Sequence, residues 1–360
     1  MAIDEAELPE LTKRQEEILS LIVRTYTQFP EPVSSKFLVE SYNLGVSSAT
    51  IRNEMAVLEE LGYIVAPHTS AGRIPTETGY RYFVKRLLNA SDLSAAEQTR
   101  IAEKFHSSPL ETEQWLRLAA TILARTVQTA ALVTPPIAET SRFKHLELIS
   151  IQGRLVLMVL VLHGGSVHQQ MLNLAEPIPQ DRLSDVASRI NHLCLNLTAN
   201  EMRMKSVQLQ LLEREVADLA ADLMDRSDNN PVHLIYREGL SDVLNSFQDS
   251  AGAKQAVRVF EERAFLNMIL NEMLTPLMNT VQVVIAGEGR WEELSHLSMV
   301  LSRYGISGQV SGTIGVLGPT HINYGKAIST VRYVSGLMTD MVASLYDNPQ
   351  AENQLPEQTE

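Results

Sequence analysis

The sequence of 360 residues contains a single cysteine, Cys194. One thiol cannot form an intrachain disulfide, nor can it supply the paired thiolates of a zinc cluster within one chain. Long apolar runs are also missing: the densest, residues 155–162, has the length of a strand, whereas a membrane-spanning helix needs about 20 apolar residues. The N-terminus is acidic, unlike the basic start of a secretory signal. We therefore expect a cytoplasmic protein without a membrane segment.

The sequence also lacks the motifs of common catalytic sites. The glycines between Gly305 and Gly318 fit neither the G-x-G-x-x-G nor the G-x-x-x-x-G-K-[ST] spacing of phosphate-binding loops. The nine histidines include no H-E-x-x-H pair, and the chain has no G-x-S-x-G nucleophile elbow. These absences favour a protein that is not an enzyme and that uses neither a cofactor nor a metal ion.

Charge is distributed unevenly along the chain. The formal net charge is −13, yet residues 11–90 carry nine Lys or Arg against eight Asp or Glu. An acidic body beside a near-neutral segment would weaken non-specific adhesion to nucleic acid, so any DNA binding must depend on a local cationic patch. The hydrophobic content of 44% in a chain of this length predicts two or three domains with sizeable cores.

Residues 11–87 have the order of elements found in a winged helix-turn-helix. A T-x-x-Q capping box at residues 12–15 predicts the start of a first helix. Two prolines then precede a short second helix near residues 34–42, and a third helix is predicted from Ser47 to Gly62. Short strands at residues 63–74 would form the wing, and a fourth helix would begin at Thr76.

The third predicted helix has two faces. At about 100° per residue, Ile51, Met55 and Leu58 share one face, which we expect to pack in a core. The opposite face offers arginine for guanine, asparagine for adenine and alanine for the thymine methyl group. Serine and threonine at the helix start suit phosphates. The predicted recognition residues are Ser47, Ser48, Ala49, Thr50, Arg52, Asn53 and Ala56.

The wing and the fourth helix supply a second predicted set of DNA contacts. The polar turn after the first strand would reach the phosphates or the minor groove, and basic side chains of the fourth helix would contact the backbone. These residues are His68, Thr69, Ser70, Arg73, Arg81 and Lys85. Helix-turn-strand segments also occur in proteins that never bind DNA, so the pattern by itself leaves that reading open.

The chain changes character after residue 90. Three strand-like segments within residues 145–174 predict an antiparallel meander, and later strands within residues 281–317, closed by a helix to about residue 346, would complete a mixed sheet with flanking helices. The predicted organisation is a winged helix-turn-helix at 1–90, a linker at 91–110, a sheet domain in two segments at 111–180 and 271–346, an inserted helical region at 181–270, and a disordered acidic tail at 347–360.

The inserted region contains a short heptad seam, in which apolar residues are spaced by three and four positions. Such a seam joins two helices in coiled coils. Two heptads are too few to establish a stable coiled coil, however, and a helix packed on its own domain explains the spacing equally well. The candidate dimerisation residues are Leu209, Leu212, Val216, Leu219 and Leu223.

The sequence resembles the heat-inducible transcription repressors of the HrcA family. In the N-terminal region the matching segments are LTKRQEEILSLIV (11–23), EPVSSK (31–36), GVSSATIRNEMAVLEELGYI (45–64) and PHTSAGRIPTETGYRYFV (67–84). Towards the C-terminus they are YREGLSDVL (236–244), the segment 295–328 and VRYVS (331–335), so the resemblance spans nearly the whole chain. One departure is His321, which stands where the family pattern leads us to expect an arginine.

The resemblance implies an α+β protein with an N-terminal winged helix-turn-helix and a GAF-like mixed α/β domain that carries an inserted dimerisation domain. It also implies a homodimer that represses chaperone operons by binding double-stranded DNA at an inverted repeat, the CIRCE element. The chaperonin GroEL would help to maintain the active repressor, and heat would relieve repression because unfolded proteins occupy the chaperonin.

Two other functions stay open on the sequence alone. A small-molecule sensor would bind a metabolite in the GAF-like domain and change its DNA affinity in response, although no decisive ligand signature is present. A pure interaction protein would bind no inverted-repeat duplex at all, even at low salt.

Overall fold

The N-terminal region forms a head of three helices, a two-stranded wing and a fourth helix. The computed structural model describes residues 9–68, 72–88, 93–106, 112–138, 140–163, 166–229, 235–244, 246–247, 250–273, 277–289 and 291–347. The elements of the head are α1 (Lys13–Gln28), α2 (Ser35–Ser41), α3 (Ser48–Glu60), β1 (Ile64–Val65), β2 (Ile74–Pro75) and α4 (Glu77–Tyr82), which continues as a π-helical turn at Phe83–Leu87.

Local sequence signals set most boundaries of the head. The predicted capping box is confirmed, because Gln15 N donates to Thr12 Oγ1 and Thr12 N donates to Gln15 Oε1. Ser34, Ser47 and Thr76 cap α2, α3 and α4. In each case the hydroxyl oxygen of the cap accepts a hydrogen bond from a backbone N–H in the first turn. These side chains satisfy backbone N–H groups that the first turn of a helix leaves without partners.

A sheet of six strands forms the centre of the C-terminal body. Its strands are β3 (Ala130–Val133), β4 (Ile137–Ala138), β8 (Tyr236–Glu238), β9 (Val281–Ile285), β10 (Leu297–Ile306) and β11 (Val310–Pro319). The order is β8-β3-β11-β10-β9, with β4 also paired to β11. The helices of this region are α5 (Ala95–His106), α6 (Thr112–Val127), α10 (Leu240–Leu244), α11 (Ser250–Glu261), α12 (Arg263–Met273) and α13 (Tyr324–Asp347).

The middle strands of this sheet are buried on both faces. All ten residues of β11 are buried, as are eight of the ten residues of β10. The sequence GTIGVLG explains part of this, because glycines at 312 and 315 leave room for the Tyr304 ring and for the Leu301 side chain. Strands buried on both faces are expected where helices cover a sheet.

The predicted meander forms a separate sheet. Strands β5 (Phe143–Gln152), β6 (Leu155–Leu162) and β7 (Val167–Asn173) pair antiparallel in the order β5-β6-β7. Their buried side chains share one core with α7 (Gln180–Cys194), α8 (Ala199–Ser206) and α9 (Leu211–Asn229). The prediction that these strands belong to the same sheet as residues 281–317 is therefore wrong.

The chain accordingly divides at other residues than the sequence suggested. One compact unit comprises residues 1–135, 234–304 and 312–360, and the second comprises residues 136–233 and 305–311. The predicted boundaries at 180 and 270 do not coincide with this division, because the meander buries its apolar face against the helices that follow it, which alternation within a strand cannot reveal. The predicted linker contains helix α5, and most of the predicted tail lies outside the described residues.

Candidate nucleic-acid interface

Helix α3 has the two faces that its sequence predicts. Ile51, Met55 and Leu58 are buried, with exposed fractions of 1%, 5% and 0%. The four residues predicted for base contacts on the opposite face are all exposed, namely Ala49, Arg52, Asn53 and Ala56. The amphipathic division follows from the 3.6-residue period of the helix.

The N-terminus of α3 is organised by hydroxyl groups. Ser47 Oγ accepts from Thr50 N at 3.2 Å and lies 3.0 Å from Thr50 Oγ1. Ser48 Oγ instead lies 3.1 Å from Ser35 Oγ, which joins the starts of α2 and α3. Ser47 and Thr50 thus stand at a helix end with a partial positive charge, where phosphate oxygens bind well. Ser48 is half-buried and contributes mainly to the turn between the helices.

The wing is fastened to α3 by an ion pair. Arg73 Nε lies 2.9 Å and Arg73 Nη2 2.7 Å from Glu59 Oε2, and the Glu59 carboxylate also accepts from Ala66 N at 3.2 Å. Arg73, predicted to contact DNA, therefore also holds the wing in place. The pairing of Glu59 with Arg73 could not be predicted from the sequence, because 14 positions separate the two residues and no local motif connects them.

The other predicted wing residues have different placements. His68 is exposed at the start of the turn. Thr69 and Ser70 lie outside the described residues. Lys85, in the π-helical turn, is exposed.

Arg81 does not face solvent as predicted. Its Nη2 donates to the backbone carbonyl of Ile285 in β9 at 3.2 Å and lies 3.6 Å from Glu77 Oε2. The side chain of Arg81 is only 20% exposed. The guanidinium of Arg81 thus joins the head to the body, and its predicted DNA contact stays a prediction.

Two aromatic contacts reinforce this junction between head and body. The rings of Tyr80 and Tyr324 lie 5.8 Å apart at 49°, and those of Tyr26 and His321 lie 6.0 Å apart at 83°. Edge and tilted ring arrangements of this kind stabilise by about 1 kcal/mol beyond area burial. Burial lowers the pKa of His321, while a hydrogen bond to the Ser246 backbone acts in the opposite direction. The neutral imidazole therefore dominates at pH 7, where the family pattern would place a permanent charge.

Known protein families match the head and the body as two separate segments. Residues 10–87 match the model for the winged helix-turn-helix transcription repressor, HrcA DNA-binding, and residues 113–328 match the model for the HrcA protein C-terminal domain. The chain belongs to the HrcA family. The heat-inducible transcription repressor of Roseiflexus castenholzii is 42% identical over 347 residues, which cover 94% of this chain and 96% of that protein. The counterpart in Herpetosiphon aurantiacus is 42% identical over 346 residues, covering 94% and 97%.

HrcA proteins are DNA-binding transcription repressors of heat-inducible genes and not enzymes, and the chain shares this role. A solved structure described as a hypothetical protein at 2.2 Å resolution is 25% identical and superimposes with a TM-score of 0.61, covering 93% of this chain and 99% of that one. Among the described residues, no helix combines the length and apolar character needed to cross a membrane.

Proposed function

We propose that the chain represses chaperone operons as a cytoplasmic homodimer bound to an inverted repeat of the CIRCE type. The observation that carries this proposal is the exposed face of α3, where Arg52 and Asn53 stand beside Ala49 and Ala56. Arginine and asparagine are the side chains best suited to bidentate contacts with guanine and adenine in the major groove. Ser47, Thr50 and Lys85 would hold the flanking phosphates, while His68 and Arg73 would act at the wing.

One head reads only a few base pairs, so tight binding calls for a second copy held at fixed spacing. A two-fold dimer adds the contacts of both heads without the full entropic cost of a second independent binding event. An operator with an inverted repeat is therefore expected, because the two-fold axis of a protein dimer matches a two-fold axis in the DNA.

The three-stranded sheet supports dimerisation through the second unit. Its outer face includes an apolar row, in which Ile149 pairs with Leu157 and Leu157 pairs with Met171 across the three strands. Ile149, Ile151 and Met171 have exposed fractions of 42%, 55% and 51%. A contiguous exposed apolar face is uncommon on a monomer and is typical of an interface between proteins.

The residues of the heptad seam do not belong to this sheet face. Val216 is buried, and Leu209, Leu212, Leu219 and Leu223 are partly buried against the core of their own unit. These five residues could contribute to a dimer only through the parts of their side chains that this packing leaves exposed. We therefore assign the larger share of the interface to the sheet.

The head-body junction supports control by heat and by the chaperonin GroEL. Within the described part of the chain, Tyr80 Oη and Arg81 Nε are buried without a hydrogen-bond partner. A buried polar group without a partner costs about 1 to 3 kcal/mol. Two such groups lower the stability of the junction, so a rise in temperature would change the fraction of correctly arranged heads. A chaperonin that rebinds misarranged molecules would then maintain the repressor.

A gel-shift series tests this function. The full chain is titrated onto an inverted-repeat duplex and onto a scrambled duplex of equal composition, before and after brief heating, with and without GroEL and ATP. We expect tighter binding to the inverted repeat, loss after heating, and recovery only with the chaperonin. Equal affinity for both duplexes would reject the inverted-repeat operator. Recovery that does not require the chaperonin would reject the GroEL step alone.

A further inference from the structure

A cavity of about 890 Å³ lies where the head meets the body, within the first compact unit. Arg24 and Gln28 of α1 form the head side, and residues 126–129 after α6 and 321–326 at the start of α13 form the body side. This volume is within the range of about 300 to 1,000 Å³ that is usual for small-molecule sites.

The charged side chains of the cavity are all cationic. Arg24 and Lys326 line it, and no aspartate or glutamate is among the described residues of its wall. His321 is also in the wall, where its lowered pKa leaves a neutral ring with hydrogen-bonding nitrogens. Glu97 lies outside this wall but interacts electrostatically with Lys326. In a chain with 43 acidic side chains and 30 basic ones, a wall whose described charged residues are cations favours an anionic occupant.

The start of α13 adds backbone donors on the same side. Asn323 Oδ1 accepts from Lys326 N at 3.0 Å, and Asn323 O accepts from Ala327 N at 2.8 Å. The amides of Tyr324 and Gly325 belong to the first turn, where a helix supplies no internal acceptor. The N-terminus of this 24-residue helix also carries a partial positive charge.

Thr129 belongs to the packed base of the cavity. This residue is 3% exposed and lines the cavity. A Cβ placed at Gly318 would meet the Thr129 methyl group, so the methyl side of Thr129 packs against β11. The Thr129 hydroxyl is itself buried and has no hydrogen-bond partner within the described residues, so it does not face the open cavity.

The remaining wall is apolar and aromatic. Phe83, Leu88, Phe247 and Ile322 contribute to it. Sites for small organic ligands combine such apolar walls with a few polar groups that fix orientation. The cavity is therefore unsuited to a bare inorganic ion, which would leave these side chains uncovered.

We propose that this cavity binds a small aromatic anion, with its acidic group held by Arg24, Lys326 and the start of α13. The aromatic part lies against Phe83 and Phe247. Because α1 supplies one wall and the body supplies the other, the ligand binds the docked arrangement of head and body and stabilises it by mass action. The site is independent of the operator and of the dimer.

The fluorescent aromatic sulfonate 1-anilinonaphthalene-8-sulfonate tests the proposal on the full chain at pH 7 and low salt. We expect saturable binding and a rise in the unfolding temperature with probe concentration. The double variant Arg24→Gln, Lys326→Gln should weaken binding by at least about tenfold, because it removes both cations proposed to hold the acidic group. Lys144→Gln, an exposed lysine of the second unit, should leave binding unchanged.

Two comparisons separate this site from general adhesion to apolar surface. The uncharged analogue N-phenyl-1-naphthylamine should bind the double variant and the unaltered chain alike. Thr129→Val keeps the side-chain shape and removes a hydroxyl that does not face the cavity, and it should leave sulfonate affinity and circular dichroism unchanged. Non-saturable binding, or equal sulfonate affinity in the folded double variant, would overturn the proposal.

Discussion

Arg52 and Lys85 lie on different parts of the head and should contribute to DNA binding in different ways. Arg52 is exposed on the outer face of α3, whereas Lys85 is exposed in the π-helical turn after α4. Arg52→Ala should cost about 1 to 3 kcal/mol on the operator and relax base preference. Lys85→Ala should weaken operator and random DNA alike and reduce the salt dependence. Binding isotherms at several salt concentrations give both quantities, and an equal loss of Arg52→Ala on random DNA would remove its base contact.

Single residues also mark the limit of prediction from sequence. The exposure of Ala49, Arg52 and Asn53 follows from helical periodicity alone, because neighbours three and four positions apart share a face. Arg73 and Arg81 look equally solvent-directed in the sequence, yet one pairs with Glu59 and the other with the Ile285 carbonyl. Their partners are 14 and 204 positions away, a separation at which no local pattern carries information.

Glycines set how closely the elements of the head approach one another. A Cβ at Gly79 in α4 would collide with the backbone carbonyl of Tyr63 just before β1. Gly79→Ala should therefore destabilise the head by about 1 to 3 kcal/mol, the usual cost of overpacking.

Gly336 offers a matched control for this substitution. It lies in α13, and a Cβ there meets nothing within 4 Å. Gly336→Ala should be neutral or stabilise by up to about 1 kcal/mol, because alanine favours helix. Thermal unfolding of both variants provides the comparison, and equal unfolding temperatures would contradict the close contact between α4 and Tyr63.

At the scale of elements, the sequence predicts where helices start better than it predicts which strands form a sheet together. Capping residues at Thr12, Ser34, Ser47 and Thr76 place four helix starts, since each cap acts on amides two or three positions away. The meander was also predicted as three strands. Its assignment to the larger sheet was wrong, because the sheet that a strand joins depends on contacts that form only in three dimensions.

For the whole molecule, sedimentation at micromolar concentration should show a dimer. Ile151→Glu or Met171→Glu places a charge on the exposed apolar face of the three-stranded sheet and should shift the population towards monomer. Met268→Glu is a suitable control, since Met268 is 45% exposed but lies in α12 of the other unit. A wild-type monomer, or full dimerisation of both sheet variants, would exclude this interface.

The sequence by itself determined the winged head, the exposed face of α3, the helix caps and the family. These features depend on contacts within a few residues or on segments that match the family models. The tertiary structure alone decided that residues 143–173 join the helices after them, that Arg81 faces the body, and that Arg24, Thr129 and Lys326 line one cavity. Burial and electrostatics act through space, so side chains far apart in the sequence acquire their environment only when the chain folds.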